Sequence, residues 1–185
     1  LLVYQAKAFY NAYITLDQLS RDDSDTLLLL FAPLVVNGAF SVELALKAIL
    51  AKNQIEYGKE HNLLILFQIL PKSFQQELWA YLIEKAPEYA GSEKGLDELI
   101  LLSNAFVDWR YAFEGKPVPA IGSRFLAALA NAAVHTMFSY YNADLLPATK
   151  TESNNEIEQR FHENREKCKE INLKMIQKKT KEHQL

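Results

Sequence analysis

The sequence predicts an all-α protein, an up-and-down helical bundle of five to six helices with a charged C-terminal helical tail. Apolar residues recur at three- and four-residue steps along most of the chain, as they do on the buried face of a helix. No stretch longer than a few residues alternates between apolar and polar side chains, as a half-buried strand would. Proline and glycine interrupt the apolar pattern at points that fit helix ends.

The pattern predicts one domain and an appendage. The predicted bundle covers residues 1–146 and the predicted tail covers residues 147–185. A chain of 185 residues that is 49% hydrophobic can bury one substantial core but not two. We predict six helices, at residues 2–19, 25–53, 61–70, 74–86, 96–113 and 123–145.

The second predicted helix should be the central element, because apolar residues surround it as far as Phe40. Pro33 within it removes a backbone donor and should bend it. Its most apolar run, Leu27 to Val36, is shorter than the roughly 20 residues that span a bilayer. We therefore expect a buried core helix and no membrane association.

Composition points to a cytoplasmic protein. Cys168 is the single cysteine, so an intrachain disulfide is excluded, which suits a reducing compartment. The N-terminal residues lack the basic start and apolar run of a signal peptide. The formal net charge of −3 also argues against general attraction to polyanions, so any nucleic-acid site would need a local basic patch.

The tail carries a weak heptad pattern. Its apolar positions follow four-three spacing among charged residues, at Ile157, Phe161, Cys168, Ile171 and Met175, with Asn164 in the same seam. One interpretation is a short coiled coil with a partner chain. The other is a solvated helix that packs at one end on its own domain.

Three segments carry a family resemblance: residues 40–50, with the sequence FSVELALKAIL, residues 60–64, with the sequence EHNLL, and residues 108–114, with the sequence DWRYAFE. In this order they resemble the HEPN superfamily over roughly residues 1–146. The resemblance implies a helical bundle that often forms a homodimer and occurs in prokaryotic stress and defence systems. It also implies a function connected with RNA or nucleotides.

The nuclease motif of that family is missing from the sequence. Active members cleave RNA without a metal, using an arginine followed four to six residues later by a histidine. Arg21 and Arg110 have no histidine at that distance, His135 comes eleven residues after Arg124, and Arg160 lies two residues from His162. We therefore expect a branch that binds without cleaving.

Glu43 and Lys47 are the first candidate ligand-binding residues. They lie four apart on the predicted central helix and can pair on one face, and Glu43 could also meet Arg110 across the bundle. The functional interpretation is a polar cleft. The structural interpretation is a buried ion pair that fixes helix register, and it is the stronger of the two.

The other candidates lie near the end of the fifth predicted helix, at Asp108, Arg110, Tyr111 and Glu114. A guanidinium fork there could hold a phosphate or a carboxylate. Alternatively, Arg110 pairs with Glu114 or Glu43, and Tyr111 covers the core edge.

Two residues are weak catalytic candidates, His61 as a general base and Arg110 as the cation beside it. A histidine at a helix start is more often a capping or packing residue. No metal site is expected, because the acidic pair that flanks His162 lacks a second histidine. No cofactor is expected either, since the sequence has no glycine-rich phosphate loop.

These observations lead to three hypotheses. The first is a non-catalytic HEPN-like binding or regulatory module that recognises RNA or a nucleotide, and the missing motif favours it over an enzyme. The second is a metal-independent ribonuclease with an atypical site, Arg110 with His61 or Glu43. The third is a protein-protein interaction domain that binds its partner through the tail. An enzyme should show Arg110 and His61 within one concave site, whereas a scaffold should bury them in unrelated ion pairs.

Overall fold

A computed structural model describes residues 1–21, 24–90, 93–110 and 120–143. Within these ranges the chain is helical and has no strand, which confirms the predicted all-α class. The elements are α1 (Leu2–Ser20), α2 (Ser24–Lys52), α3 (Leu63–Gln68), α4 (Lys72–Lys85), a short 3-10 turn (Pro87–Tyr89), α5 (Glu93–Leu102), α6 (Ala105–Arg110) and α7 (Ser123–Ala143).

The described part has seven α-helices rather than five or six, because the predicted helix at 96–113 is interrupted. The interruption lies at Ser103 and Asn104, between α5 and α6. The Ser103 carbonyl accepts a hydrogen bond of 2.8 Å from the Leu63 amide at the start of α3. The amides of Val107 and Asp108 both donate to the Asn104 carbonyl at 2.9 Å, which starts a new helix. The first free amides of α3 are thus partly satisfied by a carbonyl from a distant segment.

The core is built around α2, as its apolar sequence predicts. Every residue of the ten at positions 41–50 is buried, and α2 packs against α1, α6 and α7. Three of these ten are polar, namely Ser41, Glu43 and Lys47. Polar side chains on a fully buried part of a helix need hydrogen-bond or ionic partners inside the protein. These three residues therefore distinguish this part of the core from a purely apolar one.

Gly38 of α2 faces side chains of both α1 and α7. A Cβ atom at this position would lie 3.0 Å from Cδ2 of Tyr13 and 3.1 Å from each terminal methyl of Leu126. Both neighbours are almost fully buried. The close approach of the three helices therefore depends on the missing side chain.

The apolar stretch of α2 is longer than the sequence analysis expected. Residues Leu29–Lys52 are long and apolar enough to cross a membrane by length and composition, although more than half of the most apolar window is buried within the protein. The buried core helix of a soluble protein has the same properties. This feature is weak evidence for a membrane span.

Several predictions concern residues that the structure does not describe. These are the tail at 147–185 with its heptad pattern, the domain boundary near 146, and the candidate residues Tyr111 and Glu114. They stay predictions.

Candidate functional site

The site begins with a buried ion pair on α2. Glu43 is only 1% exposed, and its Oε1 accepts a hydrogen bond of 2.7 Å from Nζ of Lys47, one turn further along the helix. Lys47 is also buried, and its ammonium lies 5.5 Å from the ring centroid of Tyr57. The pairing expected from the four-residue spacing is therefore present.

His61 joins the same carboxylate oxygen. Its Nδ1 lies 2.9 Å from Oε1 of Glu43, while its side chain is 49% exposed. Because a carboxylate oxygen accepts, this hydrogen bond requires a proton on Nδ1 and leaves Nε2 as the second nitrogen of the ring. One imidazole thus connects a buried carboxylate to the protein surface.

Local hydrogen bonds hold His61 in place. The Glu60 side chain accepts from the amides of His61 and Asn62 at 2.9 and 2.7 Å. Asn62 caps α3 by accepting from the Ile65 amide, so the capping role considered for His61 belongs to its neighbour. The Asn62 side chain also donates a hydrogen bond of 3.0 Å to the Asn104 side chain. This bond connects the start of α3 to the interruption between α5 and α6.

The second oxygen of the Glu43 carboxyl group is unusual. Oε2 is buried and has no hydrogen-bond partner among the residues that the structure describes. A buried acceptor without a partner costs about 1–3 kcal/mol. An apolar side chain would avoid that cost, so packing alone does not account for a carboxylate here.

Arg110 and His61 share one aromatic neighbour, Phe106 of α6. The Arg110 guanidinium carbon lies 4.9 Å from the Phe106 ring centroid, and the His61 ring lies 6.1 Å from it. The Phe106 ring is stacked on Phe40 of α2 at 4.2 Å. We name Glu43, Lys47, His61, Phe106 and Arg110 the Phe106 cluster.

The predicted site residues fall into three groups. Glu43, Lys47, His61 and Arg110 meet in the Phe106 cluster, although the Oε1 atom of Glu43 is engaged by Lys47 and His61. Asp108 is exposed on α6, where its amide bonds to Asn104. Tyr111 and Glu114 lie outside the described residues.

Sequence reasoning missed Phe106, Glu60 and Asn62. Phe106 is one apolar position in a helical pattern, and nothing in its spacing indicates that Arg110 and His61 both lie beside its ring. Glu60 and Asn62 carried a detectable signal, since a short polar residue before an apolar run is a typical helix cap.

The arrangement can supply a cation and an oriented imidazole at one surface. A carboxylate that fixes an imidazole tautomer is a common way to prepare the other ring nitrogen for proton transfer. An exposed guanidinium can bind phosphate with several donors. Within the described ranges no group of three or more His, Cys, Asp or Glu side chains could hold a metal ion.

The segment that carries this cluster also carries the match to a known family. Residues 33–117 match the HEPN domain family. The match supports the resemblance seen in the sequence, over a shorter range than residues 1–146 and somewhat less than half of the chain. We call residues 33–117 the HEPN segment.

All five residues of the Phe106 cluster lie in the HEPN segment, whereas α1 and α7 lie outside it. Searches among curated proteins and among solved structures found no match.

Proposed function

We propose that the chain is a non-catalytic RNA-binding or nucleotide-binding module of the HEPN type and that the Phe106 cluster is its contact surface. The observation that carries the proposal is the position of two exposed side chains, His61 and Arg110, against one ring. The match of the HEPN segment supports a connection with RNA or nucleotides. The missing arginine–histidine motif favours binding over cleavage.

The charges suit this role. The chain has a net charge of −3, so a phosphate backbone has no general attraction to it and depends on local cations. Arg110 supplies a permanently charged fork, and His61 supplies a ring nitrogen that is directed by Glu43. The Phe106 and His61 rings also offer aromatic surface of the kind on which bases stack.

A binding assay with internal controls tests the proposal. The purified chain is mixed with a radiolabelled RNA pool that carries 5′-hydroxyl ends, in EDTA, and retention and cleavage are followed across a range of salt concentrations. Arg110→Ala should weaken retention about tenfold or more, because one charge-assisted contact is lost. Lys72→Ala removes an exposed positive charge at the start of α4 and should change retention little. Equal losses in both variants would refute the assignment of the contact surface.

The second candidate is a metal-independent ribonuclease, and the hydrogen bond of 2.9 Å between Glu43 and His61 favours it. In that reaction, Nε2 of His61 would take the proton from the 2′-hydroxyl as its oxygen attacks phosphorus, and Arg110 would stabilise the charge that develops on the phosphate. The P–O5′ bond would break, and the products would be a 2′,3′-cyclic phosphate and a 5′-hydroxyl that takes its proton from water. Glu43 would position the imidazole without touching the RNA.

The same assay separates the two candidates. Cleavage in EDTA that is lost in His61→Gln and persists in His135→Gln would replace the binding proposal with the nuclease. His135 is a suitable control because it is exposed on α7 and stacks on Tyr81 at 3.9 Å. Retention without cleavage in the unmodified protein supports the binding module.

The family resemblance also suggests a homodimer, in a stress or defence setting. Sedimentation equilibrium of the full chain would test the homodimer directly, and a monomer at all concentrations would exclude it.

A further inference from the structure

A second polar surface lies in a groove between α1, α4 and α7, and it shares no residue with the Phe106 cluster. The groove has a volume of about 530 Å³. Sites for small ligands commonly have volumes of roughly 300–1,000 Å³. Three cations and one carboxylate line it: Arg21, Lys85, Arg124 and Asp17.

Two of the cations extend further into solvent than their acidic partners. Arg21 pairs with Asp17 at 2.5 Å, and its side chain is 74% exposed against 24% for the carboxylate. Arg124 pairs with Glu88, and the corresponding values are 69% and 34%. An arginine has five N–H donors, and one carboxylate engages about two of them. Each guanidinium therefore keeps N–H donors beyond those that its carboxylate engages.

The third cation is held by its neighbours on α4. The Lys85 ammonium hydrogen-bonds to Glu84 at 2.8 Å and lies 4.9 Å from the ring centroid of Tyr81. Tyr81 is itself stacked on His135 of α7, with the ring centroids 3.9 Å apart. Fixed neighbours reduce the entropy that a lysine loses when it binds a ligand.

The side chains on the α7 side of the groove are small. Ala127 and Ala128 line it, and the adjoining Asn131 side chain is oriented by a hydrogen bond of 2.8 Å to the Tyr10 hydroxyl. Small residues leave the groove open, while the cations surround it.

We propose that this groove binds a terminal phosphate group, as a monoester or a diphosphate, through Arg21, Lys85 and Arg124. A terminal phosphate carries about two negative charges and several acceptor oxygens. As a ligand for two guanidinium groups and one ammonium, it is therefore a better match than a ligand with a single carboxylate. Such a group is found on small phosphorylated molecules and on the 5′ end of an RNA. The groove is separate from the Phe106 cluster, so phosphate binding in the groove does not depend on the proposed function.

Isothermal titration calorimetry with inorganic pyrophosphate tests the groove directly. Arg124→Ala should weaken binding by about ten- to a hundredfold, the usual effect of one charge-assisted contact. Both arginines are exposed, so the substitution should leave the fold intact. Lys72→Ala changes the net charge equally, outside the groove, and should leave the affinity unchanged.

Asp17→Asn provides a test of opposite sign. The change removes the carboxylate that occupies Arg21, so the affinity for pyrophosphate should increase. A decrease, an absence of saturable binding to the unmodified protein, or equal losses in Arg124→Ala and Lys72→Ala would each overturn the proposal.

Competition with short RNAs identifies the source of the phosphate. Displacement of pyrophosphate by 5′-phosphorylated RNA, and not by the same RNA with a 5′-hydroxyl, would support the RNA end as the ligand. Equal, weak displacement by both RNAs with tight pyrophosphate binding would support a small phosphorylated molecule. Arg124→Ala should leave retention of the 5′-hydroxyl RNA pool unchanged, because Arg124 lies outside the Phe106 cluster, and this keeps failure of this inference distinct from failure of the proposed function.

Discussion

The buried pair of Glu43 and Lys47 allows a quantitative test of how α2 tolerates charge in the core. Replacing Glu43 by leucine removes the carboxylate that pairs with the buried Lys47 ammonium. The ammonium then keeps its contact with the Tyr57 ring, whose centroid lies 5.5 Å away. Removing one member of a buried pair costs about 3–5 kcal/mol of unfolding free energy. The same substitution deletes the unpartnered Oε2 atom, whose burial costs about 1–3 kcal/mol. We therefore expect a loss near the lower limit, about 3 kcal/mol.

Lys47→Met should destabilise less than Glu43→Leu. The carboxylate that remains still accepts a hydrogen bond from His61, whereas the ammonium left by Glu43→Leu has no carboxylate at that position. The double variant, Glu43→Leu with Lys47→Met, should lie within about 1 kcal/mol of the unmodified protein or exceed it in stability, because both buried charges are gone. The coupling energy of the cycle should then be at least about 2 kcal/mol.

Urea unfolding followed by far-ultraviolet circular dichroism measures all four proteins, provided that the slopes agree. A domain of this size has a total stability of about 5–15 kcal/mol, so a change of this magnitude is readily resolved. Additive single effects, with a coupling energy near zero, would refute the argument that the two side chains form one energetic unit. Ala51→Val, at an exposed position of the same helix, controls for changes in helix propensity.

Three further predictions follow from the core and from the α3 cap. Gly38→Val should lower the free energy of unfolding in urea by about 2–3 kcal/mol, because the valine side chain would clash with buried Tyr13 and Leu126. A loss as small as that of Ala51→Val would contradict the packing argument. Burial, with Asp17 nearby, raises the pKa of Tyr13 above its usual value near 10, so the unfolded state releases its proton first as the pH rises. The stability due to Tyr13 should thus be complete below about pH 10 and decline above it by up to about 1.4 kcal/mol per pH unit, and Tyr13→Phe should flatten that decline in unfolding measured at alkaline pH. Asn62→Ala removes the α3 cap and should cost about 1 kcal/mol, with faster amide exchange at Ile65, and unchanged exchange there would argue against the cap.

Helical periodicity predicted most of the fold because each long helix buries one face, and burial controls which positions are apolar. The same periodicity could not reveal the break at Ser103 and Asn104. Apolar positions continue across it at helical spacing, through Leu102 and Phe106. The break is stabilised by the Leu63 amide, which is remote in sequence, so the deciding interaction is tertiary.

The candidate site was predictable where its contacts are local. Glu43 and Lys47 are one helical turn apart, and that spacing alone suggests their pairing. The contact between Glu43 and His61 joins residues 18 apart across a connection, and no pattern in either segment indicates it. Arg110 and His61 lie beside the same phenylalanine although they are far apart in the sequence, so no local pattern indicates that they are neighbours.

The hydrogen bonds from Leu63 to Ser103 and from Asn62 to Asn104 have a consequence for how this protein can vary. They close a loop of about 40 residues at its base, directly beside His61. Closure entropy rises only slowly with loop length, so insertions in the exposed connections of that loop, away from buried residues such as Leu78 and Leu82, should alter stability by about a few tenths of a kcal/mol each. Relatives can therefore differ in the length of the connections on either side of α4 while the imidazole keeps its place beside Glu43.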